Sequence, residues 1–448
     1  MKKLLNKKIF IFFLSFFLCF NLFSIYADAI NSSALKLYCN DSILVDGNTG
    51  TLLYGKNINN KVYPASTTKI MTAILAIENL DLNSSVVASK TAIYSIPSDS
   101  STISIQVGEV MSINDLLYGM LLNSGNDAAN VIAEAVSGNI PDFVNKMNEK
   151  AKELGCTGTH FANAHGYHNN NHYTTASDMM KIFRYALKND TFKKICETKT
   201  YVINETNKTN EKRYLQNTDK LLFTTSESPK GLYYEYALGG KTGYTIEARG
   251  TFVGFAKKDD KYVLVGAFDG SQNISGHEAR FLDAVTLFNY AFNNYSNKII
   301  INKDTFSHTI IDKTNGKKYI VTLKDNVSTM ADENPYTLNY SINIDFNKLY
   351  SAINDNNISV GNINYTIKSN NWNLNNSEEL VLKDVSNYIS ISSVKNYILK
   401  YLKYCILLII IIVIIIIIYI KKRNRKKFEK SYKINYKRRS RKISNYRK

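Results

Sequence analysis

Pro64-Ala65-Ser66-Thr67-Thr68-Lys69 leads into Ile70, Met71, Ile74, Leu75 and Ile77, apolar residues recurring at helical spacing. The pattern predicts a helix that opens just after Pro64 with Ser66 in its first turn. Residues three apart share a helix face, so the Ser66 and Lys69 side chains come together. A serine hydroxyl is a poor nucleophile at neutral pH and needs a base. A desolvated lysine beside a second cation has a lowered pKa and can accept the serine proton. The helix N-terminus also exposes the Ser66 N–H to a developing oxyanion. Alone the pattern decides little. Ser392-x-x-Lys395 fits it too, and a capping serine beside an unrelated surface lysine has the same letters.

Two further motifs give it context, Ser124-Gly125-Asn126 and Lys241-Thr242-Gly243. Ser124 and Asn126 fall at a break between helical patterns over 113–122, with Ser112 as N-cap, and 127–136. There a serine can relay protons with Lys69, and an asparagine amide can bind a substrate amide carbonyl. Lys241 and Thr242 offer a cation and a hydroxyl to a carboxylate, and Gly243 lets substrate approach a strand edge. Ser137-Gly138-Asn139 repeats the second motif, so order, spacing and context do the selecting. The set of three describes enzymes that form a serine acyl-enzyme on substrates with a terminal carboxylate.

Outward from these motifs, Ile43-Leu44-Val45 and Leu52-Leu53-Tyr54 flank the turn-rich Asp46-Gly47-Asn48-Thr49-Gly50 and read as a hairpin. A helix is expected over 141–154 and a loop over 160–175, which is rich in His, Asn and Gly. Strands follow around Lys241, over 251–256 and over 262–268, then a helix over 280–292. Strands at both ends with helices between them indicate an α+β domain, an antiparallel sheet covered by helices. From about 298 to 385 short alternating runs such as Tyr319-Ile320-Val321-Thr322-Leu323 predict a small all-β spacer.

The net charge of +18 belongs to the ends. Four lysines precede residue 9, and fifteen Lys/Arg against the single Glu429 follow residue 420, which leaves residues 9–420 neutral. A basic nucleic-acid binder is excluded, and the charge reads as membrane topology. The lysines precede an apolar run from Ile9 to Ile25 and the small-x-small site Ala27-Asp28-Ala29, a cleavable signal segment. Tyr404 to Ile420 is an uncharged run of seventeen residues, about 25 Å of helix, and the preceding 398–402 extends it. Lys400 and Lys403 can snorkel to the interface. The basic block after Ile420 then lies in the cytoplasm and the body outside. Only Cys39, Cys156 and Cys196 lie in that body, so no disulfide framework is expected. The expected organisation is a signal segment over 1–29, a catalytic domain over 30–296, a β-rich spacer over 297–390, a span over 398–420 and a basic tail over 421–448.

Together these stretches resemble the serine-type D-alanyl-D-alanine carboxypeptidases, the low-molecular-mass penicillin-binding proteins. The residues that carry the resemblance are 46–50 with Leu53-Tyr54, 64–73, 123–129, His172-Tyr173-Thr174-Thr175-Ala176, 240–245 and Arg280-Phe281. It is close over about 35–295 and looser to about 390. It implies a penicilloyl-serine-transferase fold, Ser66 as nucleophile and Lys69 as base, with Ser124 and Asn126 assisting. Lys241 and Thr242 would hold the substrate carboxylate, with Gly243 at the strand edge, and the backbone N–H groups of Ser66 and Tyr244 would form the oxyanion hole. The implied partners are peptidoglycan stem peptides ending in D-Ala-D-Ala, with β-lactams as inhibitors. One departure is Arg249 in Glu247-Ala248-Arg249-Gly250, where the family usually has Gly, and it puts the strand edge in question. Another is the anchor, an amphipathic helix in many relatives.

A zinc site of His165, His168 and His172 would suit a helix, yet Gly166 and Asn169-Asn170-Asn171 argue for a loop, so no metal and no cofactor is expected. A class A-like β-lactamase shares the three motifs but needs a glutamate-activated water for deacylation, and 140–190 holds no convincing glutamate motif. A DD-endopeptidase is possible on the same fold. A non-catalytic wall-binding protein is disfavoured by intact Ser66, Lys69 and Lys241.

Overall fold

The computed structural model describes residues 35–444, apart from 225, 228–231, 272–273, 275, 315, 354–356 and 388–390. The expected signal segment and its cleavage site lie outside the described residues. Two compact units are present: residues up to 306 with 323–350 and 359–380, and a second of 307–322, 351–358 and 381–448.

The first unit is organised by five strands: β1 (Asp41–Asp46), β2 (Leu52–Lys56), β3 (Ala237–Thr245), β4 (Arg249–Lys258) and β5 (Lys261–Gly270). Their order is β2-β1-β5-β4-β3, antiparallel throughout. The N-terminal hairpin therefore joins strands from two hundred residues later, with Ile43 opposite Gly266. Side chains alternate between faces along a strand. Val253 and Phe255 of β4 enter the main helical core, whereas Phe252 packs on Phe281 of α4 (Ala279–Asn294), ring centroids 5.3 Å apart. Both faces of the sheet are thus covered, which is why these strands are nearly continuous runs of buried residues.

The helical layer is built on α1 (Lys69–Asn79), α2 (Ile113–Leu122) and α3 (Asn126–Ser137). Every residue of α1 from Lys69 to Ala76 is buried, so this helix runs through the interior rather than lying on it. The expected N-cap of α2 is present: Ser112 Oγ accepts from Asp115 N, an interaction that contributes about 1 kcal/mol. Ser66 does not sit in the first turn of α1. It lies in a preceding 3-10 turn, Ala65–Thr68, closed by Lys69 N donating to Ser66 O and by Thr67 Oγ1 donating to Pro64 O. The helices Lys90–Tyr94, Ala176–Ala186 and Asp190–Glu197, and the short pairs Ser85–Val87 with Val110–Ser112 and Thr200–Ile203 with Arg213–Gln216, complete this region beyond the sequence-based expectation.

The chain after 295 is strand-rich but not all-β, because a helix forms over Phe346–Ser351, where Asp345 Oδ1 accepts from Asn347 N and Lys348 N. Within the first unit this stretch is bonded to the β1–β2 hairpin. The Asp46 carboxylate accepts from Thr329 Oγ1 at 2.9 Å and Met330 N at 3.0 Å. Tyr295 Oη lies within donor distance of Leu53 O (2.7 Å) and Asn371 O (3.1 Å). In the second unit, one helix spans Ile391–Ser444, and its 398–428 portion is long and apolar enough to cross a membrane. It continues through the basic tail without a break.

Candidate active site

Three pieces converge: the 3-10 turn with the start of α1, the connection between α2 and α3, and the edge strand β3. Lys69 is fully buried, and its Nζ donates to Ser66 Oγ at 2.8 Å, Asn126 Oδ1 at 2.7 Å and His165 O at 2.7 Å. Burial pulls its pKa well below the ordinary lysine value, the charge of Lys241 pulls it further, and Asp127 acts in the opposite sense. A neutral amine has two hydrogens. Asn126 Oδ1 and His165 O accept both, which leaves the nitrogen lone pair directed at Ser66 Oγ. The geometry therefore suits proton acceptance from the serine.

Lys241 is likewise buried, donating to Ser124 Oγ at 3.2 Å and to Thr242 O at 2.9 Å. Burial first, and the nearby Arg280 second, bring its pKa down to about 7. Ser124 is therefore held by Lys241, and its own proton remains free for another acceptor. Thr242 Oγ1 stands 2.6 Å from Thr218 Oγ1. The three motifs are thus one cluster, with Ser66, Lys69, Ser124, Asn126, Lys241 and Thr242 in it and Gly243 against the turn that carries Ser66.

Two glycines permit this approach. A Cβ on Gly243 would stand 2.7 Å from Ser66 N and 2.4 Å from Thr251 Oγ1, so the strand edge touches the turn directly. Gly166, at φ +89°, carries no Cβ where one would lie 1.8 Å from Ala65 O. Ala65 and Ser124 take positive φ (48° and 61°), conformations that cost a non-glycine residue roughly 1–3 kcal/mol each and concentrate at functional sites. Arg249 also has positive φ, 52°, where glycine would be cheaper. The strand edge nonetheless keeps its register, with Thr242 opposite Phe252, Gly243 opposite Thr251 and Thr245 opposite Arg249. Arg249 Nε pairs with Asp269 Oδ1 at 3.2 Å.

Several contributions were not legible in advance, among them the bonding of Arg280, a residue that the resemblance marked without a role. The His165 carbonyl is a backbone acceptor that no side-chain motif records. Arg280 donates to Gly243 O at 2.6 Å and Thr251 O at 3.2 Å, fixing β3 against β4 from below. Thr218 belongs to Asn217-Thr218-Asp219, a stretch with no distinctive pattern, and its N donates to Leu122 O beside the second motif. Tyr244 is half exposed at the strand edge. The three histidines do not gather: His172 accepts Ala162 N at Nδ1 and shares a 2.7 Å bond with Thr68 Oγ1 at Nε2, His165 Nδ1 accepts Tyr167 N, and the His168 ring packs edge-on to Tyr63. Burial lowers the pKa of both His165 and His172 to about 3, so both are neutral.

Residues 28–271 match the peptidase S11 family of D-alanyl-D-alanine carboxypeptidases. The chain is 32% identical over 295 residues to D-alanyl-D-alanine carboxypeptidase DacF of Bacillus subtilis, spanning 65% of this chain and 72% of that protein. It is 34% identical over 260 residues to the D-alanyl-D-alanine carboxypeptidase of Streptomyces sp. strain K15, with 55% and 85% covered. Among solved structures, the D-alanyl-D-alanine carboxypeptidase of Mycobacterium tuberculosis is similar with a TM-score of 0.52 and 32% identity over 58% of this chain and 92% of its own. The Streptomyces K15 DD-transpeptidase gives the same TM-score and identity, covering 58% of this chain and 98% of its own.

Proposed function

Because the chain belongs to the family of serine D-alanyl-D-alanine carboxypeptidases, penicillin-binding hydrolases of peptidoglycan, we propose the following roles for its residues. Ser66 Oγ attacks the carbonyl between the two terminal D-Ala residues of a stem peptide, and Lys69 takes its proton. The N–H groups of Ser66 and Tyr244 stabilise the oxyanion, a contribution of roughly 3 kcal/mol per donor. Lys241 and Thr242 hold the free carboxylate, with Thr218 orienting the Thr242 hydroxyl. Asn126, its Oδ1 held by Lys69, offers its NH2 to the penultimate amide carbonyl. Ser124 passes its proton to the departing D-Ala amine as the C–N bond breaks and takes in its place the proton held by Lys69, which returns Lys69 to the neutral form. Water then attacks the ester, Lys69 accepts its proton and hands it to Ser66 Oγ, and the shortened peptide leaves as the acid with Ser66 restored.

The observation that carries this reading is the 2.8 Å Lys69–Ser66 contact at a lysine whose other two hydrogen bonds are fixed. Mass spectrometry of the protein after penicillin treatment tests it. The adduct is expected on the peptide containing Ser66, and an adduct on another serine refutes the assignment. For the wider chain, we read residues 297–390 as a spacer, the apolar helix as a single span with the catalytic domain outside, and 421–448 as a cytoplasmic tail. The support is the neutral body, the basic block abutting Ile420 and the positive-inside rule.

A further inference from the structure

Asp219 is completely buried beneath β3 and has no assigned part in the chemistry. Its Oδ1 accepts from Leu221 N at 3.0 Å, while Oδ2 is shielded from solvent and has no hydrogen-bond partner among the described residues. The residue before it is bonded to the second residue of the Lys241-Thr242-Gly243 motif through the Thr218–Thr242 contact. The charged groups around this point come from every adjoining element. Lys241 lies on β3, Arg280 and its ion-pair partner Glu278 at the start of α4, and Lys220 beside Asp219 pairs with that same Glu278 at 2.6 Å. Cys196, on the helix Asp190–Glu197, is fully buried on the same side, and Lys69 faces Lys241 from α1. Among the described residues Lys241 itself bonds only a hydroxyl and a carbonyl, with no carboxylate in contact. Two buried cations, Lys241 and Arg280, therefore stand close together, and Glu278 is bonded to Arg280 alone of the two.

We propose that Asp219 is a positioning residue for carboxylate recognition, the buried countercharge that keeps Lys241 cationic beside Ser124 until the substrate carboxylate arrives. The inference rests on the role given above to Lys241. Its physical basis is the balance at that lysine. Burial and Arg280 oppose the charge and bring Lys241 to about 7, whereas Cys196 and then Asp219 act in the opposite sense. Burial holds the Cys196 thiol far above its ordinary value, so of the two only Asp219 can carry negative charge near neutral pH. Burial is also the largest influence on Asp219, lifting it to about 7, with the Leu221 N–H and then Arg280 and Lys241 holding it down. An isolated buried carboxylate is costly, and a buried cation without a countercharge is equally so. Each of these two groups makes the ionised form of the other tolerable. Below about pH 7 the lysine is then charged in the resting site without an ion pair that the incoming carboxylate would have to break.

The sign of the effect follows. Asparagine at 219 keeps the acceptor for Leu221 N and removes the negative charge, so the pKa of Lys241 falls further. The test compares full-length wild type and Asp219→Asn in detergent, following D-Ala release from diacetyl-Lys-D-Ala-D-Ala across pH 5.5–9. The alkaline limb of kcat/KM is expected to move at least half a pH unit lower in the variant, a loss of about threefold near pH 7.5 carried by KM. The two profiles should converge below pH 6, where Lys241 is protonated in both. A structural defect would instead lower the variant at all pH values. Asp219→Ser, which removes the charge with a smaller side chain, is held to the same outcome should the first variant fold poorly. Coincident limbs, or a pH-independent loss in both variants, overturn the proposal while leaving wild-type turnover intact. Absence of release by the wild type would overturn the underlying carboxypeptidase roles, and this inference with them.

Discussion

Lys69 Nζ lies 2.8 Å from Ser66 Oγ while its two other bonds, each 2.7 Å, fall on Asn126 Oδ1 and His165 O. Replacing Lys69 by alanine removes the proposed base and orphans two buried acceptors. General-base contributions are of order 10²–10⁴ in rate. The expected outcome is penicillin acylation slowed at least 100-fold, measured by stopped-flow. Lys69→Arg should be equally slow, because a guanidinium does not deprotonate in this range.

The same burial fixes a pH profile. Lys69 must be neutral to accept the proton, and its pKa is lowered, so acylation should persist well below the ordinary lysine range and fall only as pH drops through that lowered value. Lys241 must be charged to hold a carboxylate, so kcat/KM for free-carboxylate peptides should decline as pH rises through about 7. A bell-shaped profile with its alkaline limb near neutrality is expected. A limb at or above pH 10 would show that Lys241 is not the group involved.

Lys241→Ala separates binding from chemistry. A hydrogen bond to a charged group contributes about 1.5–3 kcal/mol, or roughly 10–100-fold in turnover of a free-carboxylate peptide. A substrate lacking the carboxylate should lose far less. Equal losses for both would remove Lys241 from carboxylate recognition.

Much of this site was readable from local spacing, and the rest was not for identifiable reasons. Ser66 and Lys69 are three residues apart, so a helical turn alone brings them together. Lys241 and Ser124 are 117 residues apart, and only the family pattern linked them before the 3.2 Å bond between them was visible. The Thr218–Thr242 contact and the His165 carbonyl carry no sequence signal at all, since one is a common residue type and the other is backbone. Ser66 was expected within the helix but lies in a tighter turn, because the left-handed Ala65 redirects the chain just before it. Continuous apolar runs such as 43–45, 251–256 and 262–268 located the strands, while their order depends on β1 meeting β5, a long-range pairing that no local pattern specifies.

Gly243→Ala tests the close approach of strand and nucleophile. The added methyl would stand 2.7 Å from Ser66 N and 2.4 Å from Thr251 Oγ1, so one of them must move. Overpacking costs about 1–3 kcal/mol, and displacing an oxyanion donor costs about 10²–10³ in rate. The variant should unfold at a lower temperature and acylate at least 100-fold more slowly. Wild-type acylation in the variant would mean that Ser66 N is not an oxyanion donor.

Tyr295 tests what ties the strand-rich segment to the β1–β2 hairpin. Its hydroxyl lies 2.7 Å from Leu53 O and 3.1 Å from Asn371 O, and the side chain is almost fully buried. Phenylalanine keeps the ring but deprives both carbonyls of a donor, at a cost of about 1–3 kcal/mol for a buried group left unpaired. The ring packs edge-on to Tyr290 at 5.8 Å, a contact that needs no hydroxyl and should survive the change. None of these residues touches Ser66, Lys69 or Lys241, so the chemistry has no reason to change. Tyr295→Phe should therefore lower the denaturant midpoint while the penicillin acylation rate at 25 °C stays within twofold of wild type. Chemical denaturation followed by far-ultraviolet circular dichroism, run beside an acylation assay on the same preparation, supplies both numbers. An unchanged midpoint would show that this hydroxyl does not hold the two stretches together, and a large loss of acylation would show that the segment acts on the active site itself.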